Sequence, residues 1–307
     1  MKNFIKKTSL KNDLFWIVFI FSLVLSAYGG YLNVSPQQRR TLNKVQVDDS
    51  FISLKTLSAP IDATAYLVGD LSNGKILLAR NQDFHLFPAS LSKLMTAVII
   101  MDNFSLNEPI TITNYSVSAE GDEGNLKAGE IFSVKDLLKV LLIPSSNDAA
   151  VAFATSLNKA GVNFVDLMNE KSQKLGMNNT AFFGETGLDR KGNFTTVEDL
   201  FKLSQEIYFH YPLIGEITRQ PKDEVTPLNS SSTKQLMNTD ILTSQLPELW
   251  LSKTGSTPGA QDCLLTIFEF PFKDGKIPIG IVVLNSRDRF GDTLKLYHWT
   301  KDLLQSQ

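Results

Sequence analysis

The chain opens on a charged stub and then turns apolar without interruption. Lys2, Lys6, Lys7 and Lys11 precede a run from Leu14 to Leu32 in which no residue carries a charge. At about 1.5 Å per residue, a helix of that length matches the thickness of a bilayer core. The run is apolar all round, with no polar stripe of the kind that faces solvent on a soluble helix. The flanking lysines predict a cytoplasmic stub at residues 1–13, a single membrane anchor at 14–32, and the rest of the chain outside the membrane. A signal segment cleaved near Ala27-Tyr28-Gly29, leaving a secreted protein, is the alternative. Residues 33–58 are polar and weakly periodic, and read as a linker.

From Ala59 the pattern shortens and begins to alternate. The segments 63–70 (ATAYLVGD) and 75–80 (KILLAR) predict two strands joined by a turn at Asn73-Gly74. Helical spacing then predicts helices over 90–102, 133–142, 146–159, 162–175 and 196–209, separated by loops rich in Gly, Asn and Thr. After Pro247 three more strand-like runs follow (248–255, 262–270 and 277–286), and a last helix spans 293–305. Two strands, a block of helices, three strands and a helix make an α+β pattern. It predicts an antiparallel sheet covered by helices, with a helical insertion lobe between the two strand groups and one catalytic-sized domain at 59–307. A cleft between sheet and lobe is the natural place for a site.

Composition narrows the function. Apolar residues make up 43%, charged residues 20%, and the net charge is −2, so no basic face for nucleic acid is expected. Cys263 stands alone, which leaves no intrachain disulfide and argues against a cysteine-based metal site. It reads as a buried structural thiol. His85, His210 and His298 are far apart, although His85 lies close enough to Ser90 to leave a Ser–His pair open. The stretch from Gly69 to Lys75 has the spacing of a phosphate-binding loop, but Ile76 stands where a magnesium-ligating hydroxyl belongs. No metal or cofactor is expected.

Three short motifs carry candidate chemistry. S-x-x-K occurs four times, but only Ser90–Lys93 sits at the predicted start of an apolar helix. There the two side chains share one face, one turn apart. A desolvated lysine holds its proton weakly and can take one from a neighbouring hydroxyl, leaving a nucleophile. A helix cap with a solvated lysine is the plain alternative. Ser145 and Asn147, in LLIPSSNDAA, lie at a junction between two helices, where a simple N-cap would also explain them. Lys253-Thr254-Gly255 ends a predicted edge strand, with a cation and a hydroxyl suited to a carboxylate and a glycine that admits another backbone.

The ordered set S-x-x-K, S-x-N, K-T-G resembles the penicillin-recognising serine enzymes. FPASLSKLMTA, LLIPSSNDAA, SKTGSTPGAQDCL and VVLNSRDRFGDTLKL narrow the resemblance to the low-molecular-mass D-alanyl-D-alanine carboxypeptidases, peptidase family S11. The resemblance implies the shared fold of serine β-lactamases and D,D-peptidases, and roles residue by residue. Ser90 is the nucleophile, Lys93 its base, and Ser145 a proton relay. Asn147 binds the substrate amide, Lys253 and Thr254 orient Ser145 and the terminal carboxylate, and the N–H groups of Ser90 and Ser256 hold the oxyanion. Arg289 assists the carboxylate. The implied partners are peptidoglycan stem peptides ending in D-Ala-D-Ala, β-lactams as inhibitors, and the membrane.

Two departures keep alternatives open. No β-rich domain or amphipathic helix of the kind many relatives carry after the catalytic domain is expected beyond the last predicted helix, and relatives trimmed in this way include D,D-endopeptidases that cut cross-links. Glu185 stands where the family usually has the proline of Asn-Pro, and class A β-lactamases use a loop glutamate to activate the deacylating water. A β-lactamase-like activity and a catalytically silent wall-binding protein are the further alternatives.

Overall fold

Alternation along three long strands builds the frame. The computed structural model describes residues 45–47 and 60–306, except 122, 123 and 274. A six-stranded sheet runs in the order β1-β3-β2-β10-β9-β8. Its strands are β1 (Val45–Val47), β2 (Ala65–Asp70), β3 (Lys75–Arg80), β8 (Leu249–Thr257), β9 (Gln261–Phe272) and β10 (Gly275–Ser286). Every neighbouring pair is antiparallel. Successive side chains of a strand point to opposite faces, and here both faces are covered. Tyr66, Val68, Phe268, Phe270, Ile279, Ile281 and Val283 face the C-terminal helix α8 (Arg289–Gln305) through its Leu296, Tyr297 and Leu303. Leu67, Leu265, Ile267, Val282 and Leu284 pack into the helical lobe. The unbroken apolar reading of these strands thus reflects burial on both sides.

The lobe is built around α1 (Ser92–Asn103), which is buried continuously from Ser92 to Ile100 and so has no solvent stripe. Around it lie α2 (Asn114–Val117), α3 (Val134–Leu142), α4 (Asn147–Lys159), α5 (Phe164–Lys174), α6 (Val197–His210) and α7 (Pro212–Thr218). Side-chain caps on Ser133, Ser146, Asn163 and Thr196 start α3, α4, α5 and α6, within two residues of the positions that helical spacing predicts. Two small ribbons lie outside that prediction. β4 (Pro109–Thr111) pairs with β5 (Ile131–Ser133), and β6 (Lys222–Val225) with β7 (Lys234–Met237).

The Gly69–Lys75 stretch forms the β2–β3 hairpin and not a phosphate loop; Asp70 closes its turn by accepting from Ser72 N and Asn73 Nδ2. β1 falls within the segment expected to be a linker. The expected anchor at 14–32 lies outside the described residues, and among the described residues no helix is long and apolar enough to cross a membrane.

Candidate active site

Ser90 lies in a single 3-10 turn, Ala89–Leu91, which leads into α1. The α-helix begins two residues later than expected, at Ser92, because Ser90 and Leu91 belong to this tighter turn, whose first residue Ala89 takes a left-handed φ of 47°. The one-turn relation to Lys93 survives. Lys93 is 0% exposed, and its Nζ donates to Ser90 Oγ at 2.7 Å and to the Thr186 carbonyl at 3.0 Å. The other S-x-x-K lysines lie elsewhere: Lys75 in the β2–β3 hairpin, Lys159 at the end of α4, and Lys234 on β7 against Glu130.

A second lysine–serine pair faces this one from the sheet. Lys253 projects from edge strand β8, and its buried Nζ donates to Ser145 Oγ at 2.8 Å and to the Thr254 carbonyl at 2.8 Å. Ser145 precedes α4 with a φ of 66°. The helix cap is its neighbour Ser146, whose hydroxyl accepts from Ala149 N, so Ser145 is left for Lys253. Asn147 opens α4. Its Nδ2 donates to the Glu120 carbonyl at 2.6 Å, and its buried Oδ1 has no partner among the described residues.

Gly255 joins the two pairs. A Cβ there would stand 2.9 Å from the Ser90 amide nitrogen and 3.2 Å from that of Leu91. Only glycine lets β8 pass this close to the 3-10 turn. Ser256 follows at the exposed end of β8. Arg289 Nη1 grips the strand from behind, donating to the Gly255 carbonyl at 3.0 Å and to Asp262 Oδ1 at 3.1 Å.

Several participants carry no motif. The loop 184–189 folds over α1, where Thr96 Oγ1 donates to the Glu185 carbonyl at 2.7 Å beside the Thr186–Lys93 contact. Gly187 makes this possible: at φ +91° it lies so close to the Ala89 carbonyl that a Cβ would overlap it. Asp189 ties the same loop to the turn after β8, accepting from Thr257 Oγ1 at 2.6 Å and Gly259 N at 2.7 Å. Thr239 Oγ1 shares a 2.5 Å hydrogen bond with Thr254 Oγ1, and Asp240 accepts from the Ser252 hydroxyl and from Leu242 N. Burial pushes the Asp240 carboxyl up, against those two hydrogen bonds. Backbone acceptors such as Thr186 leave no trace in a sequence, since every residue owns a carbonyl. His85 stacks on Phe194 with ring centroids 4.5 Å apart and meets Asn179 Oδ1 at 3.2 Å, while Ser90 Oγ meets Lys93.

This arrangement places two hydroxyls, each hydrogen-bonded to a buried lysine, on either side of one strand edge. The chain carrying it also matches known proteins. Residues 53–288 match the family model described as D-alanyl-D-alanine carboxypeptidase. The chain belongs to that family. Every motif residue named above except Arg289 lies inside the span that the carboxypeptidase family model matches. Among curated family members, the D-alanyl-D-alanine carboxypeptidase DacF of Bacillus subtilis is 31% identical over 208 residues, covering 66% of this chain and 53% of its own length. The chain thus spans about half of that relative. The D-alanyl-D-alanine endopeptidase of Escherichia coli is 31% identical over 256 residues, covering 80% of this chain and 79% of its own length. The crystal structure of the Streptomyces K15 DD-transpeptidase superposes with a TM-score of 0.72 at 26% identity, covering 80% of this chain and 98% of that one.

Proposed function

We propose that this protein is a membrane-anchored serine D-Ala-D-Ala carboxypeptidase that trims peptidoglycan stem peptides and is acylated by penicillins. The observation that carries the reading is the 2.7 Å contact between Lys93 Nζ and Ser90 Oγ in a setting where the lysine is fully buried. Desolvation favours an uncharged amine, the form that can accept the serine proton. Ser90 Oγ then bonds to the carbonyl carbon of the penultimate D-alanine while its proton passes to Lys93. The oxyanion forms between the N–H groups of Ser90 and Ser256, which the close passage of Gly255 supports. The C–N bond breaks, and the departing D-alanine takes a proton through Ser145, next to Lys253. Thr254 and Lys253 hold the terminal carboxylate, with Arg289 fixing the strand that carries them. Asn147 offers its open Oδ1 to the substrate amide. Water releases the peptide from Ser90 by the reverse proton path. The uncharged run at 14–32 supports the anchor and an extracytoplasmic catalytic domain.

A second reading, a D,D-endopeptidase, is favoured by one observation: the E. coli endopeptidase is covered over 79% of its length, against 53% for the B. subtilis carboxypeptidase. The full chain, incubated with a labelled penicillin and separately with a peptide ending in D-Ala-D-Ala, tests both. Intact mass should show one adduct on Ser90, absent in Ser90→Ala and in Lys93→Ala, together with release of free D-alanine. An adduct without D-alanine release, with cleavage of a cross-linked dimer, would select the endopeptidase. Normal acylation of Lys93→Ala would overturn the Ser–Lys assignment.

A further inference from the structure

The segment 238–244 runs beside β8 and is bonded to it at two alternate residues. Thr239 Oγ1 meets Thr254 Oγ1, and the Asp240 carboxyl accepts from the Ser252 hydroxyl. Alternation puts Ser252 and Thr254 on one face of the strand, with Lys253 between them on the other. The segment is also tied to the lobe. Thr239 N donates to the Ile143 carbonyl at 3.3 Å, and Asn238 Nδ2 to the Thr218 and Gln220 carbonyls at 2.8 Å each. Asp240 is therefore held from both sides, and only 2% of it is exposed.

A neutral side chain would brace the strand as well as an acid does, and a buried charge is costly unless other groups answer it. Burial pushes the Asp240 carboxyl up. The hydrogen bonds from Ser252 Oγ and Leu242 N, and the cations Arg289 on α8 and Lys253 on β8, pull it back. Both of its oxygens accept, Oδ1 from Leu242 N and Oδ2 from Ser252 Oγ, as those of an ionised carboxylate do. Arg289 is itself only partly answered: its Nη1 reaches Asp262 at 3.1 Å, while its buried Nε has no partner among the described residues. Asp240 thus joins Asp262 in answering the positive charge around the strand edge.

A terminal carboxylate arriving at Lys253 and Thr254 competes with Asp240 for the same cations. We infer that Asp240 is a positioning residue that sets how tightly this site holds a carboxylate: its fixed negative charge, braced against β8 through Ser252, weakens the grip of Lys253 on the substrate terminus and on the departing D-alanine. Binding that is equally strong in ground state and transition state lowers KM without raising kcat, so a counter-charge here favours turnover over affinity. The inference rests on the D,D-peptidase reading of the site and gives a role to a residue that the reading does not use.

The test uses two readouts on the full chain. The first is kcat and KM for D-alanine release from a peptide ending in D-Ala-D-Ala. The second is the second-order rate of Ser90 acylation by a penicillin and by its methyl ester, which lacks the negative charge. Asp240→Asn removes the charge at nearly constant size, and Asp240→Ser removes it with a smaller side chain. In both, KM should fall about fivefold with no rise in kcat, and the ratio of penicillin to ester rates should rise about fivefold, the size of one partly screened charge–charge interaction. Ser252→Ala keeps the charge and should not raise that ratio. A purely structural role predicts the opposite pattern, with penicillin and ester slowed alike and the ratio unmoved. An unchanged or raised KM with an unchanged ratio in both Asp240 variants would overturn the inference and leave the proposed function standing. The same rise in the ratio in Ser252→Ala would also overturn it, since the charge would then not be the cause. Neither acylation nor D-alanine release in the wild type would overturn the proposed function and the inference together.

Discussion

Gly255→Ala is the most direct probe of how sheet and lobe meet. The new Cβ would lie 2.9 Å from Ser90 N, 3.0 Å from Ala89 Cβ and 3.2 Å from Leu91 N. Two of these neighbours are backbone atoms of the 3-10 turn, which Lys93 holds from one side and Gly187 packs from the other. No flexible side chain can swing away. Relief requires β8 and the turn to separate by about half an ångström, to ordinary contact distance. Overpacking of this kind costs about 1–3 kcal/mol of stability. The larger effect falls on chemistry, because the same displacement pulls Ser256 N–H away from Ser90 N–H. A misplacement of about 1 Å can cost 100-fold in rate, so half of that predicts a loss of about 10-fold or more. Urea unfolding gives the stability change, and stopped-flow acylation with a fluorescent penicillin gives the rate. Wild-type acylation with wild-type stability would refute the claim that close passage of β8 builds the oxyanion site. Equal losses in stability and none in rate would confine Gly255 to packing.

Three further outcomes are expected. Thr239→Val, which removes the hydroxyl bonded to Thr254 Oγ1, should lower kcat/KM for a carboxylate-ended peptide about 3- to 10-fold, and Thr239→Ser should restore it; steady-state kinetics on both variants decide the point. Burial pushes the Cys263 thiol up to about 12, so no thiolate forms at pH 8, and a maleimide should label the native chain only after denaturation; labelling within minutes of mixing would contradict the burial. The Arg287 side chain holds the Asp62 carboxyl at about 2 against an ordinary 3.8. The stability it contributes is therefore complete above pH about 4 and is lost as pH falls toward 2. Asp62→Asn should flatten that acid limb in denaturation curves, and salt should flatten it in the wild type, since the pair is exposed.

The frame was legible because its signals are local and repeated. Phe268 and Phe270 alternate with Leu265 and Ile267 at the two-residue period of a strand, and Ser133, Ser146, Asn163 and Thr196 announce helix starts by their side chains. The motif side chains of the site were legible for the same reason, since hydroxyls and ammoniums are written in the residue type. What surrounds them was not. Thr186 and Glu120 act through carbonyls, and Thr239 through a contact with Thr254 across 15 residues of chain that no spacing rule foresees. The ribbons β4–β5 and β6–β7 are three and four residues long, too short for any period to register. The start of α1 moved because residues 89–91 form a 3-10 turn, opened by a left-handed Ala89 that side-chain preference alone disfavours.

That last feature bears on how such a protein can decay. Ala89 and Ser145 both hold left-handed backbone angles, at φ 47° and 66°, and each adjoins or supplies a hydroxyl bonded to a lysine. Left-handed non-glycine residues cost of order 1–3 kcal/mol apiece. A change to glycine at position 145 would relieve that backbone strain while removing the hydroxyl that the buried Lys253 meets. Selection for backbone ease alone would favour glycine at position 145, so a serine held there points to selection on its hydroxyl.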